Sequence, residues 1–180
     1  MQDQAAPSME YVRSLIRRYD GFPNEKVVFR DIHPIVYDPR ARRWIKDFLT
    51  ERYKSQRLDA VLGLESRGYY FGLLLADALE LPFVPFRKAG KLPGECGMRS
   101  YSTEYGECTI EVQKDAVKSG WRVAIIDDII AMGGTAKASC ELARELGLEV
   151  VEFFVVAELK DLKGRSRLSG EVPFFSLFEL

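Results

Sequence analysis

Five short runs of this chain are apolar at nearly every position: Ala60 to Leu64, Pro82 to Phe86, Val123 to Ile126, Val150 to Val156 and Pro173 to Phe178. A strand with one wet face alternates apolar and polar residues, so runs without alternation belong to strands covered on both faces. Helical patterns lie between several of the runs. The clearest are Tyr69 to Leu79 and Thr135 to Leu146, the second followed by Gly147 just past the helix end. Repetition of strand, helix and strand predicts an α/β fold: a doubly wound, mainly parallel sheet flanked by helices, with right-handed crossovers. A length of 180 residues suits one such domain, 1–180.

Before the first run, Ser8 reads as an N-cap, and Met9, Val12, Leu15, Ile16 and Tyr19 fall at helical spacing until Gly21 and Pro23. Val27 to Phe29 reads as a short extended piece. Asp38 and Pro39 then start a helix with Trp44, Ile45, Phe48, Leu49 and Tyr53 on one stripe. One stretch breaks the rhythm. Between Lys88 and Val112 lie Gly90, Pro93, Gly94, Gly97 and Gly106, with alternation around Tyr101 to Tyr105 and Thr109 to Val112, predicting a hairpin or a mobile hood projecting from the core. The Pro173 to Phe178 run suits either a core strand or an interface.

The charge balance, 26 basic against 27 acidic residues, gives no field to draw the protein onto a nucleic acid or an anionic membrane. Any anion must be met by a local pocket. Cys96, Cys108 and Cys140 lack metal-ligand spacing and read as reduced thiols. Met1 to Ser8 lack the basic start and apolar stretch of a secretory signal, and no uncharged apolar run has spanning length. The expected location is the cytoplasm.

The chemistry concentrates after the third apolar run. Val123 to Ile126 leads into Asp127 and Asp128, and Ala131-Met132-Gly133-Gly134-Thr135 then opens a helix. Glycines let backbone N–H groups close on a phosphate, the helix N-terminus adds its positive dipole end, and the Thr135 hydroxyl can donate. Carboxylates repel a phosphate but accept hydrogen bonds from the hydroxyls of a sugar beside it, so the pattern predicts a sugar-phosphate site at the carboxyl end of a central strand. An ordinary strand-to-helix turn capped by Asp is the alternative. The spacing G-x-G-x-x-G is absent and no Gly-Lys-Ser/Thr follows, which sets aside dinucleotide and nucleoside triphosphate loops. A second anion nest is predicted at Glu65-Ser66-Arg67-Gly68, with Arg87, Lys88 and Lys91 after the following strand.

Val123 to Ala136 resembles the phosphoribosyl-diphosphate signature of the type I phosphoribosyltransferases. The resemblance extends to the adenine-using branch through Val28 to Ile32, Gly63 to Gly68, Arg87 to Gly94, Tyr101 to Gly106 and Glu158 to Arg165, in that order. It implies that fold, with residues 1–35 as a small hood and residues 88–112 as a flexible catalytic loop. It also implies Mg2+-dependent transfer of a 5-phosphoribosyl group from phosphoribosyl diphosphate to adenine in purine salvage, giving AMP and diphosphate, by a homodimer. The metal would be held mainly by substrate oxygens and water; no dedicated metal ligands are expected.

Residue by residue, the resemblance assigns Asp127 and Asp128 to the ribose, and Ala131, Met132, Gly133, Gly134 and Thr135 to the 5′-phosphate. Ser66, Arg67, Arg87, Lys88 and Lys91 fall to the diphosphate, with a cis peptide before Ser66. Glu104 is assigned to proton traffic on the purine and Tyr105 to covering the reacting centre. Val28 and Arg30 would meet the adenine edge through backbone groups, with Phe29 and Leu159 flanking the ring, although both could equally be core residues. His33, the single histidine, reads as a loop residue. Met132 stands where the family commonly has threonine, Leu73 where it has proline, and Ala89 where proline or arginine is frequent. Two rival readings stand beside this one: transfer to guanine, hypoxanthine, xanthine or orotate, and a non-catalytic regulator that senses phosphoribosyl diphosphate.

Overall fold

The structure, a computed structural model, describes residues 7–25, 27–103, 106–168, 170 and 172–180. The chain divides into two compact units, residues 1–51 and 52–180.

In the first unit the Ser8 hydroxyl accepts the Tyr11 amide at 3.2 Å and caps α1 (Met9–Ser14). The helix stops well short of the Tyr19 end that its apolar spacing predicts. Residues 17–20 instead form β1 (Arg17–Asp20), paired antiparallel with β2 (Val28–Asp31), with Tyr19 opposite Phe29. A ladder partner outweighs a helical spacing that gains no burial, and Tyr19 is left half exposed. A short helix the sequence did not announce, α2 (His33–Tyr37), follows, and His33 is its first residue. The Asp38 carboxylate then accepts the amides of Arg40 at 2.7 Å and Ala41 at 3.0 Å, capping the predicted helix α3 (Pro39–Tyr53).

The second unit is built on a seven-stranded sheet, comprising β3 (Ala60–Leu64), β4 (Phe83–Lys88), β5 (Cys96–Thr103), β6 (Gly106–Gln113), β7 (Arg122–Ile130), β8 (Glu149–Glu158) and β9 (Phe174–Glu179). Its order is β5-β6-β4-β3-β7-β8-β9, with the last five parallel. The predicted doubly wound sheet is present. From β3 the chain moves outward to β4, then returns to the other side of β3 as β7 and continues to β8 and β9.

Helices cover both faces. Ala60, Leu62 and Leu64 pack in one cluster with Ala136, Ala138 and Leu142 of α5 (Gly134–Glu145). On the opposite face, Gly63 approaches Tyr69 and Gly72 of α4 (Gly68–Leu79). Strands sandwiched in this way have no wet side, which explains the unalternating runs. No helix among the described residues is long and apolar enough to cross a membrane.

Over Lys88 to Val112 the described residues pair as a hairpin, whose base is part of the sheet. β5 and β6 pair antiparallel, and β6 pairs with β4 at Arg87↔Glu111 and Lys88↔Ile110. Ile110 and Val112 are buried, so the alternation seen in the sequence marks one face laid on the core.

Candidate functional site

The strand carrying the acids runs further than its apolar stretch. Pairing of β7 with β3 ends at Gly63↔Ile126, while pairing with β8 continues to Ile130↔Glu158. Asp127 and Asp128 therefore stand inside the carboxyl half of the strand, as its sixth and seventh residues, just past the end of its pairing with β3. That is where the winding direction reverses, the place open α/β sheets leave a crevice.

Asp127 lines a cavity of about 540 Å³ together with Ala131, Met132, Gly133, Gly134 and Thr135. Residues that are consecutive in the sequence thus share one wall. Gly133 has φ +76°, a left-handed conformation that turns the loop into α5. Among the described residues, the amides of residues 131–135 donate to no backbone carbonyl, which leaves them available to an anion at the helix N-terminus.

The loop is braced from the Glu158 to Arg165 segment, at a residue to which the sequence assigns no role. A Cβ on Gly133 would lie 2.3 Å from the Gly164 carbonyl oxygen, and one on Gly164 would lie 2.2 Å from that of Ala131. Backbone rests on backbone between the loop and the 3-10 segment Gly164–Leu168. Arg167 of that segment also lines the cavity, as do Tyr101 and Ser102 of β5. The Tyr101 and Thr135 hydroxyls are 2.9 Å apart. Tyr101 stands in the Tyr101 to Gly106 segment that carries the resemblance but has no role assigned there, and Arg167 lies outside every such segment; the sheet edge and the chain after β8 bring them in.

The two aspartates occupy different surroundings. Asp128 is only 6% exposed, and its Oδ2 lies 2.7 Å from Arg67 Nε as an ion pair without hydrogen-bond alignment. Burial pushes its carboxyl up, opposed by the Arg67 charge. Asp127 Oδ1 accepts the Asp128 amide at 2.8 Å. Burial, and then the Asp128 charge, push the Asp127 carboxyl well above the usual range. α4 begins against this strand: a Cβ on Gly68 would meet the Ile126 carbonyl oxygen at 2.6 Å. Only glycine lets the nest after β3 come so near the acids.

Arg87 and Lys91 gather around an organiser to which the sequence assigns no role. The Glu65 carboxylate accepts the Lys88 amide at 3.0 Å and Arg87 Nε at 3.3 Å, and also pairs with Lys91 Nζ. Burial raises its pKa, but hydrogen bonds from Lys91, the Lys88 amide and Arg87 outweigh that and hold it at about 2. The Lys88 side chain is exposed. Buried Glu111 accepts the amides of Lys91 at 2.7 Å and Leu92 at 2.8 Å, fixing the turn that carries Lys91. The Glu65–Ser66 peptide is cis. Arg87, Lys91 and Glu65 thus form one group and Arg67 with Asp128 another, while Ser66 is exposed.

Val28, Phe29 and Arg30 lie on β2 of the first unit, where the Phe29 ring meets Phe22 edge-on at 5.2 Å. In the second unit Leu159 follows β8, and its amide donates to the Ile130 carbonyl at 3.0 Å. Glu104 and Tyr105 lie outside the described residues.

Comparison with known proteins agrees with this geometry. The phosphoribosyl transferase domain family model matches residues 35–173. Adenine phosphoribosyltransferase of Mus musculus is 46% identical over 176 residues, covering 96% of this chain and 97% of that protein. The Homo sapiens enzyme of that name is 45% identical over 178 residues, covering 97% and 98%. Among solved structures, adenine phosphoribosyltransferase from Saccharomyces cerevisiae, complexed with an imino-altritol bisphosphate and adenine, has a TM-score of 0.89 at 42% identity, covering 94% of this chain and 98% of that one. The enzyme from Giardia lamblia complexed with 9-deazaadenine has a TM-score of 0.92 at 33% identity, covering 97% and 98%.

Proposed function

Because the chain belongs to the phosphoribosyl transferase family, and within it to the adenine phosphoribosyltransferases, we propose that it serves purine salvage by moving the 5-phosphoribosyl group of phosphoribosyl diphosphate onto adenine. A bond forms from the purine nitrogen to C1′, the bond from C1′ to the diphosphate oxygen breaks, and AMP and diphosphate leave. The observation that carries this reading is the cavity in which Asp127 stands beside the open amides of residues 131–135 at the start of α5.

In this reading the amides of residues 131–135 and the Thr135 hydroxyl hold the 5′-phosphate, and Asp127 and Asp128 accept the ribose hydroxyls. Arg67, Arg87 and Lys91, with the Ser66 turn and Lys88, take the diphosphate. Val28, Phe29, Arg30 and Leu159 receive adenine, Glu104 takes the proton released by the purine, and Tyr105 covers the reacting centre. Positioning and charge stabilisation supply most of the acceleration, since positive charge grows at C1′ while negative charge grows on the leaving group. All of residues 1–180 act as one catalytic domain, cytoplasmic and homodimeric, without nucleic-acid or membrane partners.

A hydrated Mg2+ arriving with the diphosphate fits the donor set. Asp127, on the cavity wall beside the open amides, offers acceptors to the ion's water ligands. Bound there, it would neutralise leaving-group charge.

The test is to incubate the protein with phosphoribosyl diphosphate, Mg2+ and, in turn, adenine, guanine, hypoxanthine, xanthine and orotate, and to identify the nucleotide formed. AMP formation that stops on chelation is expected. A different nucleotide, or none, refutes the proposal.

A further inference from the structure

The loop Ala131-Met132-Gly133-Gly134-Thr135 offers a phosphoryl group only one side-chain donor, the Thr135 hydroxyl. That hydroxyl is not alone in the cavity. The Tyr101 hydroxyl, projecting from β5, lies 2.9 Å from Thr135 Oγ1, and both side chains line the space that Asp127 lines. The Tyr101 ring is also seated: a Cβ on Gly134 would be 3.2 Å from its Cδ2, so the ring lies directly on the loop backbone.

A hydroxyl has one proton to give. When a phosphoryl oxygen takes the Thr135 proton, Thr135 Oγ1 has only acceptor capacity left toward Tyr101, and the 2.9 Å contact is then satisfied only if Tyr101 donates. Donation by Tyr101 polarises the threonine O–H toward the anion and excludes the rotamer in which that proton points away. Burial pushes the Tyr101 hydroxyl up from the usual phenol range, and the Thr135 contact opposes this. The proton it must give is therefore firmly held.

We propose that Tyr101 is a positioning residue for the 5′-phosphate: its hydroxyl donates to Thr135 Oγ1 and so aims the Thr135 proton at the phosphoryl group. Tyr101 acts through Thr135 and does not itself touch the reacting atoms. The inference rests on the assignment of the phosphoryl group to residues 131–135.

The experiment measures dissociation constants of AMP and of adenosine, which lacks the phosphoryl group, for the wild type, Tyr101→Phe, Thr135→Val and the double variant. Tyr101→Phe keeps the ring on the loop. It should weaken AMP about 3- to 10-fold and leave adenosine unchanged, while Thr135→Val weakens AMP about 10-fold or more. In the double variant AMP binding should match Thr135→Val alone, because Tyr101 has nothing left to aim, and Thr135→Ser should restore the Tyr101 effect. If Thr135→Val weakens AMP and Tyr101→Phe does not, the inference is overturned and the loop assignment stands. Equal weakening of AMP and adenosine by Tyr101→Phe overturns it as well, showing a general packing role. If neither variant changes AMP affinity, the phosphoryl group lies elsewhere, and the inference falls with the loop assignment.

Discussion

Replacing Gly164 by alanine tests whether the phosphate loop owes its shape to a segment about thirty residues downstream. The added methyl would sit 2.2 Å from the Ala131 carbonyl oxygen, 2.9 Å from the Ala131 carbonyl carbon and 2.9 Å from the Gly133 amide nitrogen. An ordinary carbon–oxygen contact is more than 3 Å, so roughly 1 Å of movement is required. No flexible side chain is available to absorb it, because every near atom is backbone. Gly164 does not have a positive φ, so the residue's own conformation admits alanine and the effect is steric. A displacement of about 1 Å in an anion-binding loop costs on the order of 100-fold in kcat/KM. Overpacking should also lower stability by about 1–3 kcal/mol. The assay is kcat/KM for phosphoribosyl diphosphate, with dissociation constants of AMP and adenosine measured alongside. Loss confined to the phosphate-bearing ligands is expected. A variant that folds, binds AMP as the wild type does and turns over normally would refute the idea that Gly164 sets the loop.

Two further outcomes follow from the charges. Glu65→Gln should destabilise the protein: a carboxyl held at about 2 instead of 4.5 corresponds to about 3 kcal/mol, and about half of that once solvent around Lys91 and Arg87 is allowed for. Because the folded value is depressed, the deficit should be full above pH 4.5 and shrink as pH falls towards 2; urea unfolding from pH 7 to 3.5 reads this, and a deficit unchanged down to the lowest pH would contradict the assignment. Asp127→Asn should do the opposite to stability while weakening phosphoribosyl diphosphate. The folded carboxyl lies well above 3.8, so its stabilising contribution is complete below that value and lost as pH rises through the raised one. Asparagine escapes that loss and still accepts the Asp128 amide. The variant's thermal midpoint should therefore gain on the wild type progressively as pH rises above 3.8, and a gain independent of pH would speak against it.

Much of this was legible because the relevant signals are local. β3 matches its apolar run residue for residue, and α5 starts one residue before its predicted Thr135. Residues 131–135 form one cavity wall because the acids, the glycines and the helix start are consecutive along the chain. The end of α1 was missed because Ile16 and Tyr19 carry helical spacing whatever their neighbours do, and only the β2 partner decides against it. Asp127 and Asp128 read as the carboxyl end of the strand because the apolar run stops at Ile126, whereas β8 continues the ladder to Ile130. Glu111 and Arg167 have no motif around them, and Tyr101 and Gly164 stand in segments whose resemblance assigns them no role. Each becomes significant through a contact across the sheet or through backbone proximity, which a residue pattern does not encode.

If Arg87 and Lys91 take the diphosphate as proposed, the Glu65 carboxylate is its internal stand-in in the empty site. With Arg87 and Lys91 already paired to Glu65, their charge is partly offset, so a monovalent anion gains little by displacing that carboxylate. A visitor must bring enough negative charge to outbid a carboxylate already in place, and the cost of that exchange selects for polyanions before any shape is read.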